Sequence, residues 1–136
     1  LNGQTCNDTL TGGSGNDTLF GGFDVDRMTG GTGSDVFDFN LTLDSGTGVG
    51  NRDIITDFVR GVDKIDLSTI DANTSVAGNQ AFTFVGNAAT GAGQVGFFVS
   101  GVTGNLVIRV DVDGGADDMN IELQGVTTVS AADFIL

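Results

Sequence analysis

The sequence predicts an all-β chain in which short stacked repeats come first and longer strands follow. Three observations carry this. Three residue series step by nine through the first 37 positions. Leu106, Ile108, Val110 and Val112 alternate with Val107, Arg109, Asp111 and Asp113, the period of a half-buried strand. No long segment shows the 3.6-residue period of an amphipathic helix.

The repeats set the first quarter of the chain. Glycines open the units at Gly3, Gly12, Gly21 and Gly30, and acidic residues fall at Asp8, Asp17, Asp26 and Asp35. Large apolar residues fall at Leu10, Leu19, Met28 and Phe37. The four units read GQTCNDTLT, GGSGNDTLF, GGFDVDRMT and GGTGSDVFD. Leu1 keeps the apolar register, nine residues before Leu10, so the chain is expected to begin inside a repeat of a longer protein. The first six residues of a unit form a loop whose glycines reach backbone angles closed to other residues. The last three are too short for an isolated strand and must stack on neighbours, as solenoid repeats do. If successive strands go to opposite sheets, two units make one coil. Leu10 and Met28 then face inward from one sheet, and Leu19 and Phe37 from the other.

Stacked coils bring carboxylates together, Asp8 over Asp26 and Asp17 over Asp35. The rise between coils is one strand spacing, about 4.8 Å. Two carboxylates at that distance repel by roughly 3 kcal/mol at an effective dielectric near 20. A calcium ion between the loops removes that cost, because it takes oxygen ligands at about 2.3–2.6 Å. Loop carbonyls supply the remaining oxygens. The candidate ligand loops are Gly12, Gly13, Gly15 and Asp17 with Gly30, Gly31, Gly33 and Asp35, then Gly3 and Asp8 with Gly21, Gly22, Asp24 and Asp26.

Composition excludes several functions. The chain has 18 Asp+Glu against 5 Lys+Arg, a net charge of −13, so it lacks the basic surface that binds nucleic acid or acidic lipid. With no histidine it has no His-ligated zinc site and no Ser-His-Asp or Cys-His catalytic set. Its one cysteine, Cys6, has no internal disulfide partner. No apolar run approaches the ~20 residues that span a membrane. No glycine-rich loop is followed by Lys-Ser/Thr, so a phosphate cradle is excluded.

GGSGNDTLF and GGTGSDVFD resemble the glycine- and aspartate-rich nonapeptide of RTX proteins, a calcium-binding β-helix repeat. The resemblance implies a parallel β-roll with calcium ions between its loops. Departures cluster in loops one and three. The second position is Gln4 in the first unit, and the fourth position is Cys6 and Asp24 in place of Gly15 and Gly33. The site those loops share is expected to be the weaker one, although Asp24 adds an oxygen. Cys6 reads as a small residue filling a glycine position.

After Phe37 the nonapeptide stops. Phe37, Phe39 and Leu41 alternate with Asp38, Asn40 and Thr42, so a longer strand is expected there, with a loop over residues 45–51. Further strands are expected at Ala81–Val85, Gln94–Val99, Asn105–Val112 and Met119–Gln124, and Ser130 is placed to cap a short turn through Ala131, Ala132 and Asp133. The series DFVRGVDKIDLS, FTFVG, AGQV, DVDGGADDMNIELQGV and terminal DFIL is similar to the C-terminal domain of serralysin-type secreted metalloproteases. That resemblance implies a β-sandwich-like cap over residues 39–136 following a roll over residues 1–38. It also implies export by a type I (ABC transporter) system that reads Asp133, Phe134, Ile135 and Leu136 as an uncleaved signal. The alternative for these four residues is an ordinary last strand tucked into the core.

Two further acidic groups stand out. Asp53, Asp57, Asp63 and Asp66 follow the last repeat, and Asp57 and Asp63 are the better candidates to close a final calcium site. Asp111, Asp113, Asp117, Asp118 and Glu122 include the spacing of the first and last ligands of an EF-hand, but Ala116 stands where that loop needs glycine. The plain alternative is a polar hairpin turn. The expected function is a noncatalytic, calcium-folded module of a secreted, extracellular protein, monomeric, whose partners are an upstream domain and the secretion machinery. The alternative is a module that binds carbohydrate or a surface.

Overall fold

A computed structural model describes residues 1–88 and 90–136. The described residues form the strands β1 (Asn2–Gln4), β2 (Thr9–Ser14), β3 (Thr18–Gly22), β4 (Arg27–Thr32), β5 (Val36–Asp38), β6 (Asp53–Ile55), β7 (Lys64–Asp66), β8 (Thr83–Gly86), β9 (Gln94–Val99), β10 (Leu106–Asp111), β11 (Met119–Leu123) and β12 (Phe134–Ile135). Two short 3-10 turns lie at Thr42–Asp44 and Ala131–Asp133. No described helix is long and apolar enough to cross a membrane.

The strands β1–β7 deal alternately into two sheets, as a two-unit coil requires, and β8–β11 all join the second. One sheet has the order β1-β3-β5-β7-β12, the other β2-β4-β6-β11-β10-β9-β8. All neighbours in the first sheet are parallel. In the second, β2, β4, β6 and β11 are parallel, and β9, β10 and β11 form an antiparallel meander. Leu10 pairs with Met28, Met28 with Ile55, and Ile55 with Leu123. On the facing sheet Leu19 pairs with Phe37, Phe37 with Ile65, and Ile65 with Phe134. These two apolar ladders are buried and form one core that runs on through Ile108, Val110, Met119 and Ile121.

The division expected at residue 38 is therefore not a break in either sheet. β6 and β7 continue the roll as a third coil, with longer loops in place of the nonapeptide loops. β11 and β12 then extend the same two sheets, so the sandwich is the continuation of the roll. The strand expected to lengthen through Leu41 ends at Asp38. There the amides of Asn40 and Leu41 turn onto the Asp44 carboxylate at 2.7 and 2.9 Å, which leaves Leu41 exposed.

Candidate metal centre: two ladders of aspartate

The triplet Asp-x-apolar builds the ladders. It occurs as Asp8-Thr9-Leu10, Asp17-Thr18-Leu19, Asp26-Arg27-Met28 and Asp35-Val36-Phe37, then again as Asp53-Ile54-Ile55 and Asp63-Lys64-Ile65. In an extended chain residues i and i+2 lie on one side. The apolar residue that enters the core therefore draws the aspartate two positions earlier toward the inside. Asp26, Asp35, Asp53 and Asp63 are buried to 2% exposure or less.

After the first coil, one carboxylate oxygen of each rung is satisfied by the coil before it. Asp26 Oδ1 accepts the Asp8 amide at 2.8 Å, and Asp53 Oδ1 accepts the Asp26 amide at 2.9 Å. On the other face Asp35 Oδ1 accepts the Asp17 amide at 2.9 Å, and Asp63 Oδ1 the Asp35 amide at 3.0 Å. The second oxygen divides the rungs. Oδ2 of Asp8, Asp17, Asp26, Asp35 and Asp53 is buried without a hydrogen-bond partner among the described residues. Asp63 Oδ2 accepts the Val59 amide at 2.8 Å.

The glycines make room for those open oxygens. A Cβ on Gly12 would lie 2.7 Å from Asp17 Oδ2 and one on Gly3 2.8 Å from Asp8 Oδ2, and Gly21 and Gly30 are tighter still against Asp26 and Asp35. The open oxygens of these four aspartates are thus each held against the backbone that opens its own unit. Gly13, Gly15, Gly22, Gly31 and Gly33 have φ between 98° and 138°, the left-handed side that glycine adopts freely. The departures Gln4, Cys6 and Asp24 sit at φ 78°, 78° and 80°, so the non-glycine residues keep the loop shape at a conformational cost. The Asp24 carboxylate that was expected to add a ligand oxygen receives the Cys6 amide at 3.0 Å on Oδ2.

The ladders concentrate negative charge out of water. Burial pushes the Asp53 carboxyl up to about 8, and the Asp26 and Asp44 carboxylates add to the rise against the Asp26 amide. Burial raises Asp26 as well, with Asp8, Asp24 and Asp44 contributing. No basic side chain answers this charge among the described residues. Arg52 pairs with Glu122 at 2.7 Å, Arg60 with Asp133 at 3.7 Å and Arg109 with Asp117 at 2.9 Å. Arg27 donates to Gln124 and Lys64 to the Ala132 carbonyl. The open positions therefore offer carboxylate oxygens without a countercharge, the donor type of a hard divalent cation.

The structure places the remaining candidates as follows. Asp57 closes the fourth loop, accepting the Gly30 amide at 2.9 Å and the Gly31 amide at 2.8 Å. Asp63 lies on its ladder but has both oxygens engaged, and Asp66 caps Ser68. Asp53, ranked behind Asp57 and Asp63 from sequence, is the one of these four aspartates that keeps a buried oxygen without a partner. The recurrence of Asp-x-apolar was the signal for it. Asp44, buried beside Asp26 and Asp53, carried no periodic signal. The EF-hand spacing does not close: Glu122 is held by Arg52 and Asn105, and Asp117 by Arg109 and Asn120. Asp133 accepts the Ser130 and Gly61 amides. Phe134 packs 5.4 Å from Phe84, Ile135 pairs with Asp66, and Leu136 packs against the core.

Comparison with known proteins agrees with this architecture. Two solution structures from the Azotobacter vinelandii mannuronan C5-epimerase are similar to the chain. The AlgE6R3 subunit has a TM-score of 0.64 at 26% identity, over 96% of this chain and 74% of that one. The AlgE6R2 subunit has a TM-score of 0.58 at 26% identity, over 99% and 89%. No curated protein matches the chain. The family model described as peptidase M10 serralysin C terminal matches residues 3–136, and the chain belongs to that family, with the β-roll fold its two ladders require.

Proposed function

We propose that the chain is a noncatalytic calcium-folded module of a larger secreted protein. One observation carries this reading: five buried aspartate oxygens, on both faces of the roll, have no partner while every basic side chain is engaged elsewhere. On one face the Gly12–Asp17 and Gly30–Asp35 loops hold an ion. On the other the Gly3–Asp8 and Gly21–Asp26 loops do so, with Asp53 as the last rung. When bound, calcium supplies the charge that lets the carboxylates stack, and its binding free energy becomes folding free energy. Extracellular modules bind calcium at about 10⁻⁴–10⁻³ M. The acidic chain then stays threadable at low cytosolic calcium and folds outside, which favours one-way export and protects the parent protein.

In this reading a type I transporter engages Asp133, Phe134, Ile135 and Leu136 before folding, and Phe134 and Ile135 become β12 afterwards. Deleting those four residues tests it. The expected result is retention inside the cell with calcium binding by the roll nearly unchanged. Normal export of the deletion overturns the signal role, and loss of calcium binding assigns the tail a purely structural one. A polysaccharide-contacting role is the second reading. It is favoured by the likeness to subunits of a mannuronan epimerase and by the partly exposed rings of Phe23 and Phe98.

A further inference from the structure

We propose that the loop of residues 59–62 is a latch for the C-terminal tail, so that β12 and Leu136 open and close as a unit while the roll stays folded. β12 has two residues and lies at the edge of its sheet, with β7 as its one neighbour among the described residues. It pairs Phe134 with Ile65 and Ile135 with Asp66, and the Leu67 amide donates to the Ile135 carbonyl at 2.9 Å. So short an edge strand holds weakly by itself. The loop before β7 reaches the tail and supplies the rest.

Packing does not place that loop, because Val59, Arg60, Gly61 and Val62 are all exposed. Two buried carboxylates place it instead. At its base, Asp63 Oδ2 accepts the Val59 amide at 2.8 Å. At its tip, Asp133 Oδ1 accepts the Gly61 amide at 2.8 Å, and Arg60 lies 3.7 Å from Asp133 Oδ2. Asp133 is 1% exposed and also accepts the Ser130 amide at 2.7 Å, so the same carboxylate closes the turn that aims β12. An exposed loop held by a few hydrogen bonds opens at lower free energy than core strands do. When the tip lets go, Asp133 loses donors that its burial requires, and Phe134 leaves Phe84 with it. Asp63 also holds the Asp35 amide at 3.0 Å, so the base of the loop stays with the roll. That rung is closed by amides, and the opening therefore does not draw on the open rungs. In the export reading above, on which the use of the latch rests, the tail is the part of the chain hidden last.

Hydrogen exchange of the full chain in millimolar calcium, followed amide by amide by NMR, tests the latch without reference to export. The Leu67 amide reports tail docking, and the Thr56 amide, which donates to the Met28 carbonyl at 2.9 Å, reports the roll. Protection of Leu67 is expected to lie roughly tenfold or more below that of Thr56. Asp133→Ala is expected to lower it by roughly tenfold again, to lower the protection of Val59 with it because coupling is reciprocal, and to leave Thr56 unchanged. Leu67 and Thr56 protected equally, and weakened together in the variant, overturns the proposal, because the tail then opens only with the whole fold. Loss at Leu67 with Val59 unaltered overturns it too, because the tail is then an ordinary edge strand without a latch. If Asp133→Ala does not fold, Gly61→Ala serves. A Cβ there meets nothing within 4 Å, and only the positive φ of 74° is strained. Leu67 protection is expected to fall several-fold, and unaltered protection overturns the proposal.

Discussion

The first two coils and the third coil use the same Asp-x-apolar triplet and solve its electrostatic problem differently. In the first two, nonapeptide loops leave Oδ2 open at Asp8, Asp17, Asp26 and Asp35. In the third, the loop before β7 folds back so that Val59 donates its amide to Asp63, while Asp53 on the other face stays open. A carboxylate ladder therefore needs an end. A rung closed by protein amides ends it without a cation, and an open rung passes the requirement on to an ion. The third coil mixes both, so one face of the roll is closed by the chain itself and the other is not.

The comparison breaks most visibly at its central rungs. Asp35→Ala removes an open oxygen and also the acceptor of the Asp17 amide. It is expected to abolish calcium-induced structure on that face and to raise the calcium midpoint at least tenfold, as read by calorimetry. Asp63→Ala tests the closed rung. It strips the partners from the Asp35 and Val59 amides at about 1–3 kcal/mol. The same loss is expected at every calcium concentration that keeps the chain folded, and a loss that vanishes at saturating calcium would make Asp63 a ligand. A smaller contrast separates the two faces. Asp17→Ala should cost more calcium affinity than Asp8→Ala, because the loops on the Asp8 face carry Gln4, Cys6 and Asp24 at strained positive φ. The reverse order contradicts the account of those departures.

A further contrast lies in pH. The Asp53 carboxyl, raised to about 8 when folded without metal, binds a proton that the unfolded chain gives up near its ordinary value of 3.8. Its contribution to the calcium-free fold is present below about 4 and is lost as pH rises toward 8. Calcium competes with that proton, so affinity rises with pH over the same range. Glu122 has the opposite sign: burial pushes it up, but Asn105 and Arg52 outweigh burial and hold it below its ordinary value. Its contribution is present above pH ~4.5 and is lost as pH falls through its lowered folded value. Calcium titrations of the chain between pH 5 and 8 check the Asp53 contribution, and Asp53→Asn should flatten the pH dependence of affinity.

What was legible in the sequence was whatever repeats. The inward residues Leu10, Leu19, Met28 and Phe37 and the stacking of Asp8 on Asp26 and Asp17 on Asp35 followed from a nine-residue period. The Leu106–Asp111 strand followed from a two-residue one. The third coil was missed because its loops change length: the step from Met28 to Ile55 is 27 residues in place of 18, which hides a rung from any fixed-period reading. The stop at Asp38 was hidden because Phe39 and Leu41 keep strand alternation while Asp44, three residues beyond Leu41, turns the backbone. The division between Asp53 and Asp63 was not readable either, since it depends on where the Val59 amide points.

The central claim is that the open rungs make the roll depend on calcium. Circular dichroism of the full chain in EGTA and in millimolar calcium, followed by thermal melting in each, tests it most directly. A site saturated at a hundred times its dissociation constant stabilises the fold by about 2.7 kcal/mol, and several sites multiply the effect. The β spectrum is expected to be largely lost in EGTA and restored by calcium, with a large rise in melting temperature. A β spectrum and melting temperature that are the same in both buffers would contradict the account.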